Sequence, residues 1–167
     1  MIDEAYAHYA IIANEGTTHL ATFRAIDKKY PHKQPGDVLH DLVASDPGYE
    51  GKWFAAAKDA GLFELAASLA RQSPTDPRTL TRAARDLGES QADFAMSCGL
   101  SALHWMAADY GYDITRVNVL DAYAAIARAG ETLGIATAEI NARIRARLGN
   151  LGTDRSMVAK ALAHHLR

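Results

Sequence analysis

The chain is 167 residues long, 49% apolar and 23% charged, with a formal net charge of −2; that suffices for one domain with a sizeable core and is an ordinary composition for a globular protein. A single cysteine, Cys98, excludes an intramolecular disulfide and a cysteine-rich zinc site. The longest apolar runs, such as Tyr9 to Ala13, fall far short of the ~20 residues that cross a bilayer. The opening holds Asp3 and Glu4 with no basic segment ahead of an apolar one, so a cytoplasmic protein without a signal peptide is expected.

Alanine, the strongest helix former, is the commonest residue, apolar positions recur at helical spacing, and no segment alternates convincingly with period two. The pattern predicts an all-α fold of about ten helices, near 3–14, 17–30, 35–45, 48–60, 62–72, 77–88, 90–109, 115–133, 137–148 and 154–166. In the first, Glu4 and His8 stand four apart and could ligate a metal given further ligands. The second carries Arg24 and Lys28 on one side, with Lys29 beside them and Lys33 beyond the break at Pro31. These cations are candidates for binding phosphate or an acidic peptide, against the plainer reading of a solvated helix face. "YPHKQPG", residues 30–36, cannot continue a helix through two prolines. The third helix turns Leu39, Leu42 and Val43 to one side and sets Asp37, His40 and Asp41 on one turn. No third histidine accompanies them, so surface salt-bridging is expected and no metal or cofactor is assigned.

"SDP", residues 45–47, and "TDP", residues 75–77, each offer an aspartate N-cap followed by proline at the first helical position, where its missing N–H costs nothing. Glu50 adds negative charge to the first turn after the former. Gly61, Gly88, Gly134 and Gly149 sit where a helix C-cap takes a positive φ. Gly99 lies mid-helix, where glycine costs ~1 kcal/mol relative to alanine, so a close helix crossing is expected to require it. Cys98, among small and apolar neighbours with no cation or helix N-terminus beside it, reads as buried and inert. Trp53, Phe54, Trp105, Tyr110 and Tyr112 read as core before they read as a pocket lining. His19, His32 and His104 have no partner in the local sequence. In the last helix Met157, Ala161 and Leu162 share a stripe flanked by Val158 and Leu166, the pattern of a docked end cap.

Charge is uneven along the chain. Residues 1–139 carry 12 Lys/Arg against 19 Asp/Glu, whereas residues 140–167 carry six cations (Arg143, Arg145, Arg147, Arg155, Lys160 and Arg167) against Asp154 alone. One short basic stripe is a small footprint for nucleic acid, so docking of the terminal helix on an acidic neighbour is the expectation.

One string has an echo. "GKWFAAAKDAG", residues 51–61, is echoed by "RTLTRAARDLG", residues 78–88, matching Ala56 to Ala83, Ala57 to Ala84, Lys58 to Arg85, Asp59 to Asp86 and Gly61 to Gly88. A second helix follows each copy, and there Ala66 and Ser68 match Ala95 and Ser97. The repeating object is a helical hairpin of roughly 27–36 residues, and such units bury their faces by stacking. The expected architecture is a single domain, 1–167, of irregular stacked hairpins: a tetratricopeptide-like α–α superhelix without the full tetratricopeptide signature. If the copies are equivalent, Lys58 and Arg85 lie on the same side. They then form either cross-copy ion pairs, Lys58 with Asp86 or Arg85 with Asp59, or, with Arg82, a row of cations for a partner's carboxylates or phosphates.

The strings "LATFRAIDKKYPHK", "EGKWFAAAKDAGLF", "SPTDPRTLTRAARD" and "GLSALHWM" resemble the C-terminal part of larger, uncharacterised bacterial proteins built of helical repeats. The resemblance runs from about Tyr6 to Leu166. It implies a helical-repeat fold and that the chain is a short member or the tail of a longer architecture; it carries no activity and no catalytic residues.

No Gly-rich phosphate loop, G-x-S-x-G elbow or H-E-x-x-H helix occurs. The leading expectation is therefore an interaction module taking a protein or peptide on its concave face, with Lys58, Arg82, Arg85, Arg24 and Lys28 as candidate binding residues and no catalytic residue assigned. The alternative is an enzyme or accessory domain holding a small ligand or metal in a helical cleft. Non-specific nucleic-acid binding through the basic C-terminal helices ranks third, and no membrane partner is expected.

Overall fold

A computed structural model describes residues 6–151 and 156–167, and all regular structure among them is helical. A π-helical turn, Tyr6–Ala10, leads into α1 (Ile11–Ala13); α2 (His19–Lys29) and α3 (Pro35–Ser45) follow. A 3₁₀ turn, Glu50–Trp53, runs into α4 (Phe54–Asp59), and α5 (Phe63–Gln72) ends this part. The remainder comprises α6 (Pro77–Leu87), α7 (Ala92–Ala107), α8 (Arg116–Leu133), α9 (Thr137–Leu148), a 3₁₀ turn (Gly149–Leu151) and α10 (Met157–Leu162). No described helix is long and apolar enough to cross a membrane. The chain divides into two compact units at Pro74/Thr75. The two copies of the repeated string fall in different units.

In the first unit α2, α3 and α5 pack around the 3₁₀ turn and α4. Phe23, Ile26, Val38, Leu39, Leu42, Trp53, Phe54 and Leu69 supply the large buried side chains. Thr18 caps α2 by accepting the Ala21 N–H at 3.1 Å. The expected cap at "SDP" is not formed. Asp46 follows the last residue of α3, its carboxylate turns to His19, and Gly48 at φ +87° carries the chain into the 3₁₀ turn instead. Glu50 helps hold that turn: its Oε1 accepts the Gly48 N–H at 3.2 Å, and hydrogen bonds from its own N–H and that of Gly48 keep its carboxyl below the usual range.

The second unit is built around α7, which buries residues on all sides, as a helix surrounded by others must. It packs against α6, α8, α9 and α10. Here the "TDP" cap forms as expected: Asp76 accepts from the Thr79 N–H at 2.9 Å and Pro77 opens α6. Gly99 lies at the crossing of α7 with α8, and a Cβ there would collide with Ile126 Cγ1 and lie 3.6 Å from the Ala122 carbonyl oxygen. Gly61, Gly134 and Gly149 take positive φ, but Gly88 has φ −59° and simply extends the helical turn after α6. Cys98 is buried. The terminal helix docks on α7 and α8, with one change from the expected stripe: Val158 is buried with Ala161 and Leu162, while Met157 is 38% exposed. Residues 154 and 155 of the expected last helix lie outside the described residues, as do Glu4 and the side chain of His8.

Candidate functional site

The cations predicted to bind a partner separate by environment. Arg24 is committed: its Nε and Nη2 reach both carboxylate oxygens of Asp59 at 3.1 and 2.7 Å, a fork-to-fork pair between α2 and α4. Arg24 holds the Asp59 carboxyl below its usual range and is itself raised by Asp59. Each of the two matched aspartates has a partner within its own unit. Asp59 serves Arg24, and Asp86 serves its own chain neighbour Arg85 at 3.0 Å. Lys58 is half-buried beside Asp59, and Lys28 is exposed one turn beyond Arg24.

Arg82 and Arg85 have a different setting. Arg78, Arg82 and Arg85 recur at i, i+4 and i+7 along one edge of α6, which at 1.5 Å per residue sets the outer two about 10 Å apart. This edge faces α8 across a groove made of two contiguous hollows. One, of about 160 Å³, is lined by Pro77, Arg78, Thr81, Arg82, Arg85, Asn118 and Asp121. The other, of about 280 Å³, shares Thr81, Arg85 and Asp121 and adds Ala124, Ala125 and Arg128. Four guanidinium groups thus border one groove, and Asp121 is the carboxylate among its lining residues. Arg82 has no partner among the described residues. The other three hold exchangeable ones: Arg78 donates to the Asp113 carbonyl at 2.8 Å, Arg85 to Asp86, and Arg128 to the exposed carboxylate of Glu89. Exposed pairs of this kind contribute ~0–1 kcal/mol, so a partner's carboxylates can replace them at little cost.

Arg85 is the repeat's match to Lys58, with Arg82 one turn back; Arg78 and Arg128 were not among the expected residues, and Arg128 arrives from α8, 46 positions after Arg82. Three of the six cations of the basic tail are spent internally. Arg143 pairs with Glu139 at 2.7 Å, Arg145 donates to the Leu166 carbonyl, and Arg147 lies 3.4 Å from Ser101 Oγ.

The first unit contains a second concavity, a cavity of about 380 Å³ formed by the α1–α2 connection, the end of α3 and Trp53. His19 Nε2 lies 3.2 Å from Asp46 Oδ2, a pair 27 residues apart that no local pattern signals. Its ring stands edge-on to Trp53, with centroids 4.5 Å apart. Trp53 is 4% exposed, and its indole Nε1–H, fully buried, has no acceptor among the described residues; such a donor costs about 1–3 kcal/mol. Of the aromatic group read mainly as core, Phe54 and Trp53 are buried in it, Trp53 also lining this cavity, while Tyr112 is exposed. Among the described residues no three His, Cys, Asp or Glu side chains are grouped to hold a metal. The Asp37, His40 and Asp41 turn provides none.

No protein-family model matches this sequence, and comparisons with curated proteins and with solved structures gave no match.

Proposed function

We propose that this protein is an interaction module of irregular, tetratricopeptide-like helical hairpins whose α6/α8 groove captures an acidic segment of a partner protein. The observation that carries this reading is the set of guanidinium groups of Arg78, Arg82, Arg85 and Arg128 along the groove, opposed by Asp121 alone among its lining residues. Arginine forks match carboxylates bidentately, and their planar donors favour carboxylate recognition over simple charge attraction. The ~10 Å run from Arg78 to Arg85 matches three residues of extended peptide at about 3.3 Å each. An Asp/Glu-rich stretch with acidic residues three apart therefore fits the rim. The resemblance to tails of larger helical-repeat proteins is in keeping with a part that recruits rather than transforms.

The test is fluorescence anisotropy with a labelled decapeptide carrying Glu at every third position and Gly elsewhere, against the matching Lys/Gly peptide and a single-stranded oligonucleotide of the same negative charge. The acidic peptide is expected to bind at low salt and weaken as salt rises. The double reversal Arg82→Glu/Arg85→Glu should weaken it at least tenfold while the melting temperature stays nearly constant, because both side chains are exposed. Tighter binding of the oligonucleotide, or a charge-reversed variant that binds as well as the parent, refutes the acidic-segment reading.

A further inference from the structure

We propose that Asp121 sets the specificity of the α6/α8 groove: the captured segment must place a hydrogen-bond donor, lysine above all, between two of its acidic residues. This requirement rests on the acidic-segment reading of that groove. Both hollows belong to the second unit, and they share three lining residues, Thr81, Arg85 and Asp121. A segment that uses both hollows must pass all three. On α6 Thr81 stands between Arg78 and Arg85, and on α8 Asp121 stands two turns before Arg128. Arg78 and Arg82 line one hollow and Arg128 the other, while the carboxylate among the lining residues sits where the hollows join.

What the join can recognise follows from which groups are already used. Arg85 is turned to Asp86 at 3.0 Å, Arg78 to the Asp113 carbonyl and Arg128 to Glu89. Asn118 spends its Oδ1 on the Thr115 N–H at 2.8 Å and on the Thr115 hydroxyl. Asp121 is exposed and Thr81 half-buried, and neither has a hydrogen-bond or ion-pair partner among the described residues. The join therefore holds a carboxylate that only accepts and a hydroxyl that can accept. A third acid placed there meets the charge of Asp121. An apolar side chain laid over Asp121 strips its carboxylate of water and returns no bond. An amide donates to it, and an ammonium forms a charge-assisted bond roughly twice as strong. Acids on either side still reach Arg82 in one hollow and Arg128 in the other. The pattern that uses every group is acid, donor, acid, and an unbroken acidic run does not provide it.

The experiment uses the full chain and the labelled decapeptide with Glu at every third position. The residue after its second Glu is varied among norleucine, glutamine, lysine and glutamate. Plain attraction to the arginines puts glutamate first and lysine last. The proposed order is the reverse: lysine and then glutamine should bind about threefold to tenfold more tightly than norleucine, and glutamate no more tightly than norleucine. Asp121→Ala should bring glutamine and norleucine to equal affinity and remove the advantage of lysine. Glutamine and norleucine are both neutral, so loss of the long-range field of Asp121 alone would not change their ratio. The proposal is overturned if either donor binds no better than norleucine, if glutamate binds tightest, or if Asp121→Ala keeps the order of the parent. In each of those cases the peptides still bind and the acidic-segment reading stands. Failure of every peptide to bind overturns both.

Discussion

The α4–α5 and α6–α7 hairpins open with strings that match at a few positions and bury the matched alanines: Ala56 and Ala57 in one, Ala83 and Ala84 in the other. Around those alanines they diverge. The first copy starts as a 3₁₀ turn, has a six-residue helix and closes through Gly61 at φ +74°; the second has an aspartate cap, an eleven-residue helix and Gly88 in the α region. The matched aspartates also part company, Asp59 reaching across to Arg24 and Asp86 turning to Arg85. The shared letters therefore encode one thing, a small-residue face on which a neighbouring helix can pack closely. Caps, ends and charges are decided by each copy's surroundings.

The units differ most in what completes their cores, so the largest expected effect comes from the end of the chain. Removing residues 156–167 uncovers the surface on α7 and α8 that Val158, Ala161 and Leu162 occupy. At ~1.5–3 kcal/mol for each buried branched side chain, this should cost the second unit about 4 kcal/mol or more. Hydrogen exchange should show faster opening across α7 and α8, with α2 to α5 unchanged. Protection lost equally in both units would mean that they unfold as one.

Helix proximity gives the next largest effect. At the 29-residue offset that aligns the second helices, Gly99 corresponds to Ala70, and both are buried. Only the second hairpin has a crossing that excludes a Cβ. Gly99→Leu should destabilise by about 3 kcal/mol and Gly99→Ala by about 1–2 kcal/mol through overpacking against Ile126. Ala70→Gly should cost about 1 kcal/mol, from backbone entropy and a lost methyl group. Denaturant midpoints decide the point, and a Gly99→Ala variant as stable as the parent would remove the close crossing.

A smaller difference separates the two Asp–Pro sequences. Asp76→Ala removes a true N-cap and should cost about 1 kcal/mol. Asp46→Ala should instead leave helix stability alone and alter the His19 resonances, since Asp46 caps no following helix. Equal losses from the two substitutions would return "SDP" to a capping role.

This pair marks the limit of what could be read from the sequence. Helix positions followed from apolar spacing, proline and glycine, which act locally, and eight of the expected spans are recovered, 35–45 and 137–148 at their expected bounds; the first, 3–14, is described only from Tyr6, as a π-helical turn and a short helix. The tenth, the last, is shortened to Met157–Leu162 with its upstream residues outside the described range. The sites were less legible because they join distant positions. Asp46 met His19 from 27 residues away, and Arg128 met the α6 arginines from another helix. "SDP" and "TDP" are alike as strings, yet the aspartate of one had a histidine within reach. Arg82 and Arg85 were found from the repeat, although Arg85 and Lys58 do not share a role.

The smallest expected effect is a difference in where each unit responds to acid. In the second unit His104 is held below its ordinary pKa, by burial first and then by Arg147, against a lesser opposing hydrogen bond to the Arg147 carbonyl. In the first unit Asp59 is held low by its hydrogen bonds from Arg24. Both groups bind a proton more readily unfolded than folded, so both contributions are present above the unfolded pKa and are lost as pH falls through the folded one. The windows differ. The His104 contribution should begin to fall as pH drops past 6.5, the ordinary value for the imidazole, and that of Asp59 only below 3.8. Partial exposure and salt screening keep both slopes shallow. The Trp105 and Trp53 indole resonances report the units separately during denaturant titrations at pH 7.5, 5.5 and 3. Between pH 7.5 and 5.5 the second unit should lose stability, and His104→Gln should flatten that loss. Asp59→Asn should flatten the later loss in the first unit. If His104→Gln leaves the slope intact, the histidine is not the group that sets it; if Asp59→Asn leaves the later loss intact, its pairing with Arg24 does not set the acid response of the first unit.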